Sequence, residues 1–423
     1  MIVIKDYFTE MNYETDTLPN GMRIIHATND SSISYCGVLI NSGTRDEYDN
    51  ESGLAHFTEH MLFKGTTKRR PHHIINRMEN VGGELNAFTS KEETGVYTVF
   101  FAEYLERSIE LLADMVFNSQ FTEEQLERER IVILDEINSY LDAPSALIYD
   151  DFEQVVYNNH DLGKPILGTP ESLMSITSET MKAYVQRQFK PENMVFFSLG
   201  SSPFPKVLKK VKKHFEFYAP FVATAQIEQP KPRIAPQTDF TRNLAIKKDT
   251  HQTHYILGRQ TFNMFHPDRA ALYLLNSILG GLGMNSRLNT SLREKNGLVY
   301  TVESTHSLYS DSGVFSVYFG CDPSNTQKCL YLIQKEFHKL KNTTLTPQQL
   351  SKAKKQLKGE LGIACENKEN LALDMAKSFL HFDRFITLKE ITEHIDQVSA
   401  EQIQLLANFL LNSDEFSHLH YKS

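Results

Sequence analysis

The sequence predicts an α+β protein built as an internal duplication of one unit, and three observations carry that expectation. At 423 residues the chain exceeds one ordinary core, so two domains of about 200 residues are expected. Ala219 to Gln237 gathers Pro220, Pro230, Pro232 and Pro236, the composition of a linker. Val96-Tyr97-Thr98-Val99-Phe100-Phe101 is echoed by Val314-Phe315-Ser316-Val317-Tyr318-Phe319. After each comes a long helix and then a capped one, opened by Thr122-Glu123-Glu124-Gln125 in the first half and by Thr346-Pro347-Gln348-Gln349 in the second. The expected division is residues 1–218, a linker over 219–237, and 238–423.

Taken in order, Asn20-Gly21 is a tight-turn signal between two extended runs, and Ile33 to Ile40 follows as a more apolar strand. A polar loop through Gly43-Thr44-Arg45-Asp46-Glu47 leads to a helix-compatible stretch that stops at Gly65. That stretch contains His56-Phe57-Thr58-Glu59-His60, which reads H-x-x-E-H. At 3.6 residues per turn, His56, Glu59 and His60 share one helical face. Two imidazoles on adjacent turns can reach one zinc ion, and the carboxylate between them lies where it can take a proton from water at the open position. Alone, the pattern also fits a solvated helix face with two surface histidines. A third ligand on another rigid element separates the two readings.

Pro71 suits the first turn of a further helix, with Ile74, Ile75 and Met78 as its stripe, Gly82-Gly83 as its stop and His72 and His73 as solvated residues. Glu84 to Ser90 and Gly95 to Phe101 read as strands, and Glu103 to Asn118 as a long helix. The helix opened by Thr122 carries Glu129 and Glu136 seven positions apart, hence on one face. This pair is the third-ligand candidate, although Glu127-Arg128-Glu129-Arg130 alone looks like a solvated charged face. The stretch from Asp142 to Tyr218 reads as mixed, with helices near Pro170 to Gln188, a strand over Asn193 to Leu199, and an amphipathic helix over Pro205 to Phe215. Its lysines, Lys209, Lys210, Lys212 and Lys213, fit a solvated face. The second copy has Leu279-Gly280-Gly281-Leu282-Gly283-Met284 where the first has its histidines, so only the first can hold the metal.

Hydrophobic residues make up 40% of the chain and charged ones 23%, the proportions of an ordinary soluble globular protein. A net charge of -9 argues against nucleic acid or an anionic membrane as the main partner. No apolar run has the length of a membrane span, and Met1-Ile2-Val3-Ile4-Lys5-Asp6 lacks the basic start of a signal peptide, so a cytoplasmic location is expected. Cys36, Cys321, Cys329 and Cys365 have no C-x-x-C spacing and read as reduced packing residues.

H-x-x-E-H in the first half, a glutamate 76 positions after the second histidine, and a duplicated half without the metal closely resemble the pitrilysin or insulinase family of zinc peptidases, the inverzincins. The length is similar to the half-size, two-domain branch that includes the mitochondrial processing peptidase subunits and bacterial relatives. The resemblance implies two homologous α/β-sandwich domains, each a sheet with helices on one side, and a clamshell dimer. It implies one zinc ion per chain held by His56, His60 and Glu136, with Glu59 as general base and Glu129 as a supporting carboxylate. Gly83, Glu84, Leu85, Asn86, Ala87 and Phe88 are similar to the family's edge strand, to which a peptide substrate adds as a further strand. Leu292-Arg293-Glu294-Lys295-Asn296-Gly297-Leu298-Val299-Tyr300 matches the family's paired arginine and tyrosine, so Arg293 would position the substrate and Tyr300 hydrogen-bond the developing oxyanion. The implied activity is endopeptidase cleavage of unstructured peptides in a closed chamber of two chains, as a homodimer. The alternatives are an active subunit needing a metal-free partner chain and a non-catalytic scaffold subunit.

Overall fold

A six-stranded sheet organises the first half of the chain in the computed structural model, which describes residues 12–217, 229–237 and 241–422. The expectations for Met1 to Asp6, and for the linker before Gln229, lie outside the described residues. The strands are β1 (Tyr13–Thr17), β2 (Arg23–Thr28), β3 (Ile33–Ile40), β4 (Glu84–Thr89), β5 (Thr94–Phe101) and β6 (Met194–Gly200), in the spatial order β1-β2-β6-β3-β5-β4. Asn20-Gly21 closes the β1–β2 hairpin, where Gly21 takes φ +91°, a conformation that a side chain disfavours. The central strand β6 is buried along its whole length, because alternate residues face two different apolar layers. Met194 and Phe196 join one layer, with Phe57, Ile109 and Leu112 from helices; Val195, Phe197 and Leu199 join the other.

The second half repeats this plan. Its strands are β7 (Asn243–Lys247), β8 (Thr253–Thr261), β9 (Val299–Leu308), β10 (Gly313–Cys321) and β11 (Ser417–Lys422), in the order β7-β11-β8-β10-β9. β2 pairs β6 parallel and β7 pairs β11 parallel, while the other neighbours in both five-strand runs are antiparallel. Strand for strand, β2-β6-β3-β5-β4 corresponds to β7-β11-β8-β10-β9, and among the described residues only β1 is extra. The duplication read from two echoing segments extends to whole sheets.

Two details depart from expectation. The compact units are not contiguous stretches: the first gathers the chain up to Ile137, Lys164–Arg233 and Ala364–Thr387, and the second Asn138–Gly163, Ile234–Ile363 and the chain from Leu388. Helices also lie on both faces of each sheet rather than one. In the first unit, Ala372, Met375, Ala376 and Phe379 of helix Lys368–Phe382 cover Ile25, Leu39, Val195 and Phe197. In the second, Leu147, Ile148, Phe152 and Val156 of helix Pro144–Val156 cover Ile256, Val314, Tyr318 and Leu419. The physical reason is the double-sided apolar character of the strands, which a single helical layer would leave half in water. Each covering helix follows its half's long capped helix, Glu123–Leu141 or Pro347–Ala364, so the two halves have traded equivalent helices.

Other expectations are met with small shifts. Pro170 to Gln188 is two helices, Pro170–Ser175 and Ser178–Gln188, because Thr169 and Thr177 each cap a separate start with a side-chain hydrogen bond to the third residue. Lys210 and Lys213 pair with Glu106, and Lys212 lies 3.4 Å from Asp16. The four cysteines are free thiols, three of them buried. No helix among the described residues is long and apolar enough to cross a membrane.

Candidate metal centre

The histidine helix, Leu54–Met61, begins at Gly53, whose φ of +86° and close packing, with Leu167 O 2.8 Å from where a Cβ would sit, leave room for no other residue. Buried Glu47 caps it from outside: its carboxylate accepts from Ala55 N at 2.8 Å and Gly53 N at 3.2 Å. Burial pushes the Glu47 carboxyl well up, against the pull of those two hydrogen bonds and of Lys164. Leu54, Ala55, Phe57 and Met61 anchor the helix in the core. The opposite stripe presents His56, Glu59 and His60.

Glu136, on helix Glu123–Leu141, meets both histidines. Its Oε2 lies 3.8 Å from His56 Nε2 and 3.5 Å from His60 Nε2, and one ligand atom of each residue falls within 4.8 Å of the others. Those separations are too long for hydrogen bonds and suit a shared ion: donors about 2.1 Å from one tetrahedral zinc stand roughly 3.4 Å apart. The electrostatics fit a cation as well. Burial, and then the charge of His60, depress His56 to about 3, so its lone pair stays available. At His60, burial works downward but is outweighed by the Glu129 hydrogen bond and by Glu59, Glu129 and Glu136, which raise it. Among the described residues this is the one gathering of three or more metal-ligating side chains.

Glu129 stands behind His60. It is buried, accepts from His60 Nδ1 at 2.9 Å, and pairs through its other oxygen with Lys64 Nζ at 2.6 Å. Those partners outweigh burial and lower its pKa, and an ionised acceptor on Nδ1 leaves the lone pair of His60 Nε2 free for a cation. His56 Nδ1, by contrast, is buried with no hydrogen-bond partner.

Glu59 is 9% exposed, and its Oε2 accepts a 2.7 Å hydrogen bond from the Thr89 hydroxyl. Burial raises its pKa, opposed by Thr89 and His60 and aided by Glu136. A carboxylate dried in this way is a better base than a solvated one. Sequence reasoning missed Thr89, Lys64 and Glu47. Lys64 is four residues past His60 and carried a helical-spacing signal; Thr89 and Glu47 meet the helix only through the fold.

β4 is the edge of its sheet among the described residues, so one side of Glu84–Thr89 has no strand partner there. Glu84 is exposed and Leu85, Asn86, Ala87 and Phe88 are half-buried; Gly83, before the strand, is buried, with Val99 O 2.9 Å from where a Cβ would sit. Arg293 and Tyr300 belong to the second unit. Arg293 is exposed in a π-helical turn, Asn289–Glu294, and Tyr300 is 78% exposed on the edge strand β9. At the place of the histidine helix, the second unit has the apolar helix Arg269–Gly280.

Comparison with known proteins supplies the family. Residues 23–170 match the family described as "Insulinase (Peptidase family M16)", and residues 175–357 match "Peptidase M16 inactive domain". Over 399 residues the chain is 35% identical to the uncharacterized zinc protease YmxG of Bacillus subtilis, covering 94% of this chain and 95% of that one. It is 31% identical over 399 residues to the mitochondrial-processing peptidase subunit beta of Bos taurus, covering 92% and 79%. A solved protease from Helicobacter pylori shares the fold, with a TM-score of 0.90 at 24% identity over 98% of this chain and 100% of that one. The chain thus belongs to the M16, or insulinase, family of peptidases, in which its relatives are named zinc proteases.

Proposed function

We propose that this chain is a zinc-dependent endopeptidase acting on unstructured peptides, a reading carried by the convergence of His56, His60 and Glu136 beside the dried carboxylate of Glu59. His56 Nε2, His60 Nε2 and one Glu136 oxygen would hold a single zinc ion per chain. Zinc in such a site supplies Lewis acidity, acidifying a water and polarising a peptide carbonyl. Glu59 takes the proton of the attacking water and delivers it to the leaving amine. Glu129 and Lys64 keep the His60 ring in its ligating orientation. A peptide lies along the free side of Gly83–Phe88 as an added strand, held chiefly through its main chain, which favours extended, unfolded substrates.

Arg293 and Tyr300 serve substrate placement and oxyanion stabilisation at the metal site of another chain, within a closed chamber formed by two chains. Their exposure supports that role, because both side chains are open to solvent. A homodimer would be self-sufficient; the relative named as a subunit beta favours assembly with a second, different chain. The match of residues 175–357 to an inactive domain favours a rival reading, a scaffold subunit, but that stretch contains none of His56, Glu59, His60 or Glu136.

The deciding experiment is cleavage of unstructured peptides of graded length by the purified chain, with and without a chelator. Chelator-sensitive turnover supports the endopeptidase. Silence with zinc demonstrably bound points to a missing partner chain or to the scaffold.

A further inference from the structure

We propose that His381 is a positioning residue for Glu59, acting through the turn that carries Thr89; this rests on the assignment of Glu59 as general base. The line of contact is short. Thr89, the last residue of β4, donates to Glu59 Oε2 at 2.7 Å. The next residue, Ser90, starts the turn into β5, closed by Ser90 N to Glu93 O at 2.8 Å and by Glu93 N to Ser90 Oγ at 3.0 Å. The Ser90 hydroxyl also donates to Glu93 Oε2 at 2.5 Å. Glu93 is 9% exposed, and its remaining oxygen, Oε1, meets His381 Nε2 at 2.7 Å. The Glu59 carboxylate is thus joined to His381 by way of Thr89, Ser90 and Glu93.

His381 is itself firmly placed. It sits in the last turn of helix Lys368–Phe382, beside Phe379 and Leu380, which pack in the second apolar layer. Arg23 holds that helix end, donating to the carbonyls of Phe379 and Leu380 at 3.3 Å each and pairing with Asp383 at 2.5 Å. The same helix touches the β4–β5 hairpin twice more: Lys377 Nζ lies 5.1 Å from the centre of the Phe88 ring, and Glu369 accepts from the Tyr97 hydroxyl at 2.6 Å. The traded helix therefore clamps the hairpin at Phe88, Glu93 and Tyr97. Without His381, a buried carboxylate in the turn loses a partner and is drawn toward water, which displaces Ser90 and the adjoining Thr89. A displacement near 1 Å at a reacting group costs about a hundredfold in rate, so a loose turn is felt at Glu59.

The test is a double-mutant cycle in the zinc-loaded chain, reading kcat and KM on one cleavable peptide, bound zinc, and amide exchange across residues 84–93. Thr89→Val should lower kcat roughly ten- to a hundredfold, the loss expected for a hydrogen bond to a charged group, at unchanged KM and zinc. Thr89→Ser, which keeps the hydroxyl, should restore most of it. His381→Ala should lower kcat less and speed exchange at the turn, and His381→Gln should recover part of both. The pair Thr89→Val with His381→Ala should be little worse than Thr89→Val alone, because both act on one contact. Losses that multiply, or normal kcat in Thr89→Val, overturn the inference. Where His381→Ala fails to fold, Glu93→Gln takes its place in the cycle under the same two criteria. If the parent cleaves nothing, its reading as a self-sufficient peptidase fails separately, while exchange still decides the clamp: an unaltered turn in His381→Ala overturns it.

Discussion

The two halves share five strands, the same order and the same pairing senses, yet among the described residues only one gathers a set of side chains that could hold a metal. Where the first half has Leu54–Met61 with His56, Glu59 and His60 on one stripe, the second has Arg269–Gly280, apolar nearly all round and followed by Gly281-Leu282-Gly283. Even the traded helices do parallel work. In the second half, Glu153 accepts from the Tyr309 hydroxyl at 2.6 Å and Tyr149 donates to Glu303 at 2.5 Å, holding the β9–β10 hairpin as His381 and Glu369 hold β4–β5. The scaffold is thus common property, and a few side chains on two helices separate a candidate metal centre from a plain support. In the second copy Arg293 and Tyr300 are exposed to solvent.

The sharpest way to break this contrast is Glu59→Gln. It should abolish peptide turnover, a loss on the order of a hundred- to ten-thousandfold for a general base, while metal analysis still finds zinc. Turnover close to that of the parent would show that the stripe is not the catalytic feature. Glu129→Gln comes next: the chain should bind zinc about ten- to a hundredfold more weakly, measured by competition with a chromophoric chelator. Equal affinity would mean that the contact behind His60 does not tune the ligand.

The halves should also be separable in function. Mixing a Glu59→Gln chain with a Tyr300→Phe chain should regain activity in a homodimer, since one mixed site is intact. No recovery where subunit exchange is proven by labelling would place both roles in one chain or in a different partner.

The smallest expected effect concerns acid stability. Glu93 is depressed to about 2: burial works upward, but His381, Lys377 and Ser90 outweigh it. Because the folded value lies below the unfolded one, near 4.3, its contribution is full above the unfolded value and is lost as pH falls toward about 2. It amounts to on the order of 3 kcal/mol. Thermal unfolding of Glu93→Gln against the parent should therefore show a stability gap that narrows between pH 5 and pH 2, roughly the span between the two values. A gap constant over that range would refute the assignment.

Local periodicity made much of this legible. The H-x-x-E-H stripe, the Glu129 and Glu136 spacing and the β-prone runs depend on neighbours a few residues away, and they appear in the structure nearly where expected. Helix Pro144–Val156 was missed although Leu147, Ile148, Phe152 and Val156 recur at helical spacing. An apolar stripe says that a helix packs, not against which sheet, so the trade between halves had no local signature. Thr89, Glu47 and His381 were invisible for a related reason: they reach their partners 30, 8 and 288 residues away through the fold.

The trade of helices has a consequence for synthesis. β6 ends at Gly200, completing the first sheet, but the helix that covers its second face starts only at Lys368, 168 positions later. At translation speeds of about 5–20 residues per second, Ile25, Leu39, Val195 and Phe197 wait roughly ten to thirty seconds on the ribosome with one face bare. The nascent first half is then a sticky platform and a natural client for holding chaperones until Lys368–Phe382 emerges and covers it.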